Sequence, residues 1–259
     1  MSKPKVLLLD IETSPLLSYH WGLFDQNVGL NQIHREWHVL SWSAKWLGSK
    51  EIMYMDQSTV KNKENDKKIL EALWKLLDEC DIVIGHNVKS FDLKKLNARF
   101  LLHKMEPPSK ARIIDTLLIA RRNFALTSNK LEYLSEKLGC KHKKLKHKKF
   151  PGFELWKECL AGNKEAWEEM EVYNKYDVLS LEEVYERLIP WDSSINFSVY
   201  NGGDHICSCG SKELIKKGFS ASNHGVYQRY KCKACGKPYQ DKENLLSLEQ
   251  RKHLKKGVK

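Results

Sequence analysis

Residues 7–15 read LLLDIETSP, and the two carboxylates that end this apolar run decide how the chain is to be folded. Three leucines mark a buried strand. In an extended chain, however, Asp10 and Glu12 stand two positions apart and point to the same face. Like charges this close repel unless one is protonated or a cation lies between them. A core strand that delivers two acidic side chains to a cation is therefore expected, with further acidic residues completing the site.

Around this strand (KVLLL, 5–9) the sequence alternates between sheet and helix patterns. HVLSWSAKW (38–46) and EIMYM (51–55) are strand candidates, and the short connector LGSK implies an antiparallel hairpin. DKKILEALWKLLDE (66–79) sets Ile69, Leu70, Leu73, Leu76 and Leu77 at helical spacing. DIVIG (81–85) is a short buried strand, after which Asp92 leads into the amphipathic helix LKKLNARFLL. ARII (111–114) is a strand stopped by Asp115, followed by the helix opening TLLIARRN. After NKLEYLSEKLG comes a lysine run, and the last long helix runs from about Asn163 to Leu188, ahead of Pro190. This order predicts an α/β layer with a mixed sheet over residues 1–192. Residues 193–203 read as a linker, 204–240 as a small second module and 241–259 as a basic tail.

The bulk properties fit two modules. The chain has 259 residues, 41% hydrophobic and 30% charged, enough for one mid-sized core and a smaller unit. The net charge of +11 points to a polyanionic partner, of which nucleic acid is the commonest. Thirteen Lys or Arg against five Asp or Glu from Asp204 onward place about +8 of that charge on the small module. No stretch approaches the roughly 18–20 apolar residues of a membrane span. The N-terminal apolar run is too short for a signal peptide, so a cytoplasmic protein is expected, in a host cytoplasm if the source is viral. Cys80, Cys140 and Cys159 are scattered and read as reduced structural thiols, whereas four cysteines cluster near the C-terminus.

Two further acidic residues can join Asp10 and Glu12. HNVKSFD (86–92) places Asp92 at a helix start, and YNKYD (173–177) places Asp177 inside the long helix. Taken singly, Asp10 could end a strand, Asp92 could cap a helix and Asp177 could lie on a solvated face. Together, four oxygen donors suit Mg²⁺ or Mn²⁺ rather than zinc. Two such ions about 4 Å apart can activate water against a phosphodiester. DIET, HNVKSFD and YNKYD resemble, in order, the three motifs of the DEDD superfamily of 3′–5′ exonucleases, over roughly residues 5–190. The resemblance implies a ribonuclease H-like fold, a mixed five-stranded sheet flanked by helices. It also implies two metal ions on Asp10, Glu12, Asp92 and Asp177, with Asp10 bridging. Tyr173 lies one helical turn before Asp177, and the position where a histidine branch would carry its His is Val172, so the chain resembles the tyrosine (DEDDy) branch. By the same resemblance Thr13, Asn87 and Phe91 would touch substrate. Asp115, between a strand and Thr116, reads as a helix cap, with support of the site as its alternative. Trp21, Phe24 and Trp37 in the 17–37 segment read as core packing rather than as stacking platforms. A structure-specific endonuclease on the same fold, or a binding protein with an inactive nuclease domain, would share most of these features.

CSCG (Cys207, Cys209) and CKACG (Cys232, Cys235) flank 22 residues, a spacing that suits one tetrahedral zinc held by four thiolates. The pair resembles a zinc ribbon, although its first half has one residue between the cysteines where two are usual, leaving His205 as a possible ligand. Between the pairs, Arg229 and several lysines interleave with Phe219, Tyr227 and Tyr230, a mixture that suits nucleic-acid contact. The expected partner is nucleic acid, DNA more than RNA, although the residues themselves do not choose between them. KHKKLKHKK (141–149) holds six lysines, and Lys143, Lys144 and Lys146 are expected to meet phosphates.

Overall fold

The computed structural model describes residues 3–143 and 149–255. The chain forms two compact units that divide between Tyr185 and Glu186. Lys144 and Lys146 lie outside the described residues. Among those residues no helix is long and apolar enough to cross a membrane.

The first unit is built on β1 (Val6–Thr13). It continues through a small pair, β2 (Leu17–Ser18) and β3 (Ile33–Arg35), to β4 (Val39–Trp46) and β5 (Met53–Asp56). Then come α1 (Lys67–Glu79), β6 (Ile82–Gly85), α2 (Asp92–Leu102), β7 (Arg112–Asp115) and α3 (Thr116–Asn123). The helices α4 (Leu131–Lys137), α5 (Glu154–Leu160) and α6 (Lys164–Leu188) follow. The main sheet has the order β5-β4-β1-β6-β7. The β4–β5 hairpin is antiparallel, as is β1 with β4, while β6 and β7 run parallel to β1. The expected mixed five-stranded sheet is thus observed, with β1 at its centre.

Strand alternation gives β1 its two roles. Leu7, Leu9 and Ile11 face one side, where they pack with Trp42 and Ala44, with Ile69, Leu70, Leu73 and Leu77 of α1, and with Leu96 and Phe100 of α2. The Trp42 indole N–H donates to the Ile69 carbonyl at 2.8 Å, so the ring is buried without losing its polar partner. Asp10 and Glu12 face the other side, opposite Ser43 and Ser41 of β4. These small polar residues let α6 approach the sheet. Asn174 of α6 meets Ser41 there, and the buried Lys45 pairs with Glu182 at 2.5 Å.

The 17–37 segment departs from its expected packing. Trp21 is 99% exposed and Phe24 is 83% exposed. The β2–β3 pair is too short to cover them, and only Trp37 is half-buried, with Lys95 Nζ 3.6 Å from its ring centre.

The second unit carries a three-stranded sheet, β10-β9-β8, formed by β8 (Leu214–Ser222), β9 (Gly225–Cys232) and β10 (Pro238–Gln240). A short helix, α7 (Leu248–Lys252), follows. Within residues 193–203 a 3-10 turn, Phe197–Asn201, buries Phe197.

Candidate metal centre and its supports

Parallel β6 ends beside β1, and the chain must then turn sharply into α2. Gly85 makes this possible: a Cβ there would lie 2.4 Å from Val88 Cβ and 3.2 Å from the Leu9 carbonyl. Asn87 follows in the left-handed region, with φ 66°. Asp115, at the end of β7, holds the turn from outside. Its carboxylate accepts the N–H of Asn87 at 2.9 Å and of Lys89 at 3.2 Å, and it also caps α3 through Leu117 N–H at 3.1 Å. The cap reading of Asp115 is thus observed, and the same carboxylate has oxygens enough to hold the loop backbone ahead of Asp92 as well.

The loop delivers Asp92 to the first turn of α2, where it is 4% exposed. The cap position itself is Phe91. Asp92 Oδ1 instead accepts the N–H of Ile11 at 3.2 Å, which ties it to the strand between Asp10 and Glu12. Burial pushes the Asp92 carboxyl up to about 7, against the pull of the Asp92 and Ile11 amides, and the Asp115 charge adds to the rise. An acid so placed is costly to ionise without a nearby cation.

Asp177 arrives from α6 and is 2% exposed, so it is no solvated helix residue. A carboxylate oxygen from each of Asp10, Glu12 and Asp177 lies within 4.8 Å of the others. This all-oxygen donor set of three carboxylates fits a hard divalent cation. Asp92, held at the Ile11 amide, is not one of the three drawn within that distance. Tyr173 lies one turn before Asp177 and is 6% exposed. Its ring meets Trp156 of α5 edge-on, with centroids 5.9 Å apart, inside a cluster that includes Leu40, Leu155 and Met170.

The residue not anticipated is Asn174. It is fully buried, and its Nδ2 donates to Asp10 Oδ2 at 2.6 Å while its Oδ1 accepts from Ser41 Oγ at 3.1 Å. Its position between Tyr173 and Asp177 in YNKYD was the available signal. Three residues before Asp177, it occupies the same helical face.

Thr13 sits just past an irregularity of register: Glu12 pairs with Ser41 but Thr13 with Val39. Phe91 is 39% exposed, beside the start of α2. Lys143 is exposed, and Arg229 lies exposed on β9, in the second unit rather than with the carboxylates.

That second unit contains the cysteine cluster. Sulfurs of Cys207, Cys209, Cys232 and Cys235 lie within 4.8 Å of one another, Cys207 to Cys235 at 3.5 Å and Cys209 to Cys232 at 3.7 Å. Four thiolates around zinc at about 2.3 Å would stand about 3.8 Å apart, close to this arrangement. Burial raises Cys232, but the Cys235 and Ala234 amides and the neighbouring thiols outweigh it and bring the group down to about 6, toward the thiolate a metal needs. His205 is not part of the group; it packs edge-on against Tyr239 at 4.7 Å. Lys237, 5% exposed, donates to Ser208 Oγ at 2.8 Å beside the cluster.

Comparison with known proteins agrees with this architecture. A family model described as RNase_H superfamily matches residues 7–189. Among solved structures, the family B DNA polymerase of the hyperthermophilic archaeon Pyrobaculum calidifontis is similar, with a TM-score of 0.53 and 15% identity. The match takes in 73% of this chain but only 25% of the polymerase, and at that identity it speaks for the fold alone. No curated protein matches the sequence significantly. The mixed sheet with its acidic strand end and the matched span of 7–189 agree, and the chain belongs to the RNase_H superfamily.

Proposed function

We propose that this protein is a metal-dependent 3′–5′ exonuclease of the DEDDy type, acting on nucleic acid and on DNA in preference to RNA. The observation that carries the reading is the convergence of Asp10, Glu12 and Asp177 on the sheet of an RNase_H superfamily fold. Asp10, Glu12, Asp92 and Asp177 would hold two Mg²⁺ or Mn²⁺ ions. When bound, these would lower the pKa of the attacking water and stabilise the leaving oxygen.

The chain's own residues would do the rest. Asn174 fixes the Asp10 carboxylate, and the Ile11 amide does the same for Asp92. A phenol near pKa 10 is a poor base at neutral pH, so Tyr173 would orient the water by a hydrogen bond. Thr13, Asn87 and Phe91 would hold the terminal nucleotide, and Lys143, Lys144, Lys146 and Arg229 would meet phosphates. Water adds to phosphorus, the bond to the 3′ oxygen of the preceding nucleotide breaks, and a nucleoside 5′-monophosphate leaves. A zinc on the four cysteines would hold the second unit together as a ribbon that aids substrate binding.

The deciding assay uses strands labelled at either end, with Mn²⁺ or Mg²⁺. A 3′ label should be released at once as mononucleotide, while a 5′ label should give a descending ladder. Asp10→Asn with Glu12→Gln should abolish both. Internal products of discrete size would instead support an endonuclease, and unchanged hydrolysis in the double variant would exclude the assigned site.

A further inference from the structure

The second unit carries a concavity of about 690 Å³ that the carboxylate chemistry does not use. It is lined by Arg187, Pro190, Trp191, Lys231, Cys235 and Pro238, among others. Trp191 ends the 3-10 turn Ile189–Trp191, and Pro190 at the second residue of that turn fixes its backbone. Trp191 is 65% exposed, so part of its ring is open to solvent at the concavity. Arg187 and Lys231 supply cations to the same concavity. Lys231 pairs with Pro238 on β10, and the face continues two residues along β9 to Arg229 and on to Tyr227. The concavity therefore joins an aromatic face to a track of positive charge, on the unit that carries most of the net charge.

We infer that this concavity is a second nucleic-acid site, in which a base of a single strand stacks on Trp191 while Arg187, Lys231 and Arg229 follow its phosphates. Stacking needs one exposed aromatic plane and tolerates any base; the cations need a phosphate every nucleotide. Among common polyanions only a single-stranded nucleic acid offers both groups at once. Glu186, which also lines the concavity, disfavours loose association of phosphate alone and leaves the aromatic plane as the discriminating element. The inference rests on the nuclease reading for its choice of ligand, and it adds a place on the second unit where the strand is held.

The test is fluorescence anisotropy of a labelled 20-mer oligothymidylate with the full-length Glu12→Gln protein, which removes hydrolysis from the measurement. Trp191→Ala is expected to weaken binding roughly 5- to 100-fold, and Trp191→Phe to retain most of it. Arg187→Ala with Lys231→Ala should flatten the log affinity against log salt plot by about 1.4, two phosphates at roughly 0.7 each. Inorganic phosphate alone should not compete. Affinity in both Trp191 variants within twofold of the parent, or an unchanged salt slope in the double variant, would overturn the site. Loss of the site would leave end-labelled hydrolysis by the unaltered enzyme intact. Failure of the nuclease reading would show as no hydrolysis by a protein whose Trp191 still binds the strand.

Discussion

Asn174 spends both ends of its amide inside the protein, on Asp10 and on Ser41. A carboxylate free to rotate would meet a metal in several geometries, and the amide selects one. If Asp10 is a metal ligand as proposed, Asn174 would hold it from behind, and groups of this kind typically matter 10- to 100-fold to metal affinity or activity. Asn174→Ala is therefore expected to raise the Mn²⁺ concentration for half-maximal hydrolysis by about that factor. Asn174→Asp should do worse, since it sets a third negative charge against Asp10. An Asn174→Ala enzyme with unchanged Mn²⁺ dependence would leave the residue a packing role only. Gly85 makes a different residue-scale argument. A methyl at this position would collide with Val88, at 2.4 Å from its Cβ, and with nothing flexible to yield. Gly85→Ala should cost about 1–3 kcal/mol, read by urea denaturation, and should lower activity through displacement of the loop that ends in Asp92.

At the scale of elements, the beginning of α1 is fastened to α2 by one buried carboxylate. Asp66 has no exposed surface and accepts from Arg99 through Nε at 2.8 Å and Nη2 at 2.7 Å, from the Val39 amide at 2.8 Å, and from His103 at 2.6 Å. Burial pushes Asp66 up, but the donors, Arg99 foremost, outweigh it and hold the group below its ordinary value. A depressed carboxyl stabilises the fold in full above the ordinary carboxylate range, and the contribution is lost as pH falls through the folded value. Asp66→Asn leaves Arg99 buried without its counter-charge and should cost about 3–5 kcal/mol at pH 7. The gap between parent and variant melting temperatures should narrow under acid, and a constant gap down to pH 3 would contradict the account. Elements of this kind were readable in advance where they depend on local period. The β1 alternation, the hairpin and the α1 stripe all follow from spacing two or three-to-four residues apart. Asp66 was not readable, because it is polar for a partner far away in sequence, Arg99. For Asn174 the YNKYD motif marks the helical face, but not the distant partner, Asp10, that the amide serves. Trp21 and Phe24 misled for the opposite reason: apolar composition says that a residue can be buried, while coverage depends on how much chain is available to lie over it.

On the scale of the whole molecule, two metal classes should stabilise two units separately. In the first unit, Asp10, Glu12 and Asp177 crowd negative charge at the sheet, so a bound divalent ion should raise its melting temperature. At a hundred times the dissociation constant the gain is about 2.7 kcal/mol, which for a unit of this size is roughly 5–10 °C. Asp10→Asn should raise the metal-free melting temperature by relieving repulsion and should blunt the response to Mn²⁺. The second unit poses a different problem. Along β8 no residue is fully buried, and the Leu214–Ser222 strand is mostly solvent-facing, so its sheet has little apolar core of its own. On the proposed zinc reading, a metal on the four sulfurs drawn to within 4.8 Å would supply what the core does not, since zinc on such sites contributes about 10–16 kcal/mol of binding free energy that serves as folding free energy. Stripping zinc should therefore leave hydrogen-exchange protection across Pro4–Tyr185 in place while erasing it from β8, β9 and β10. Cys232→Ser should do the same without a chelator. If the amides of β9 remained protected with zinc below a tenth of an equivalent, the ribbon would have to be held by its side chains alone, and the four cysteines would need another explanation.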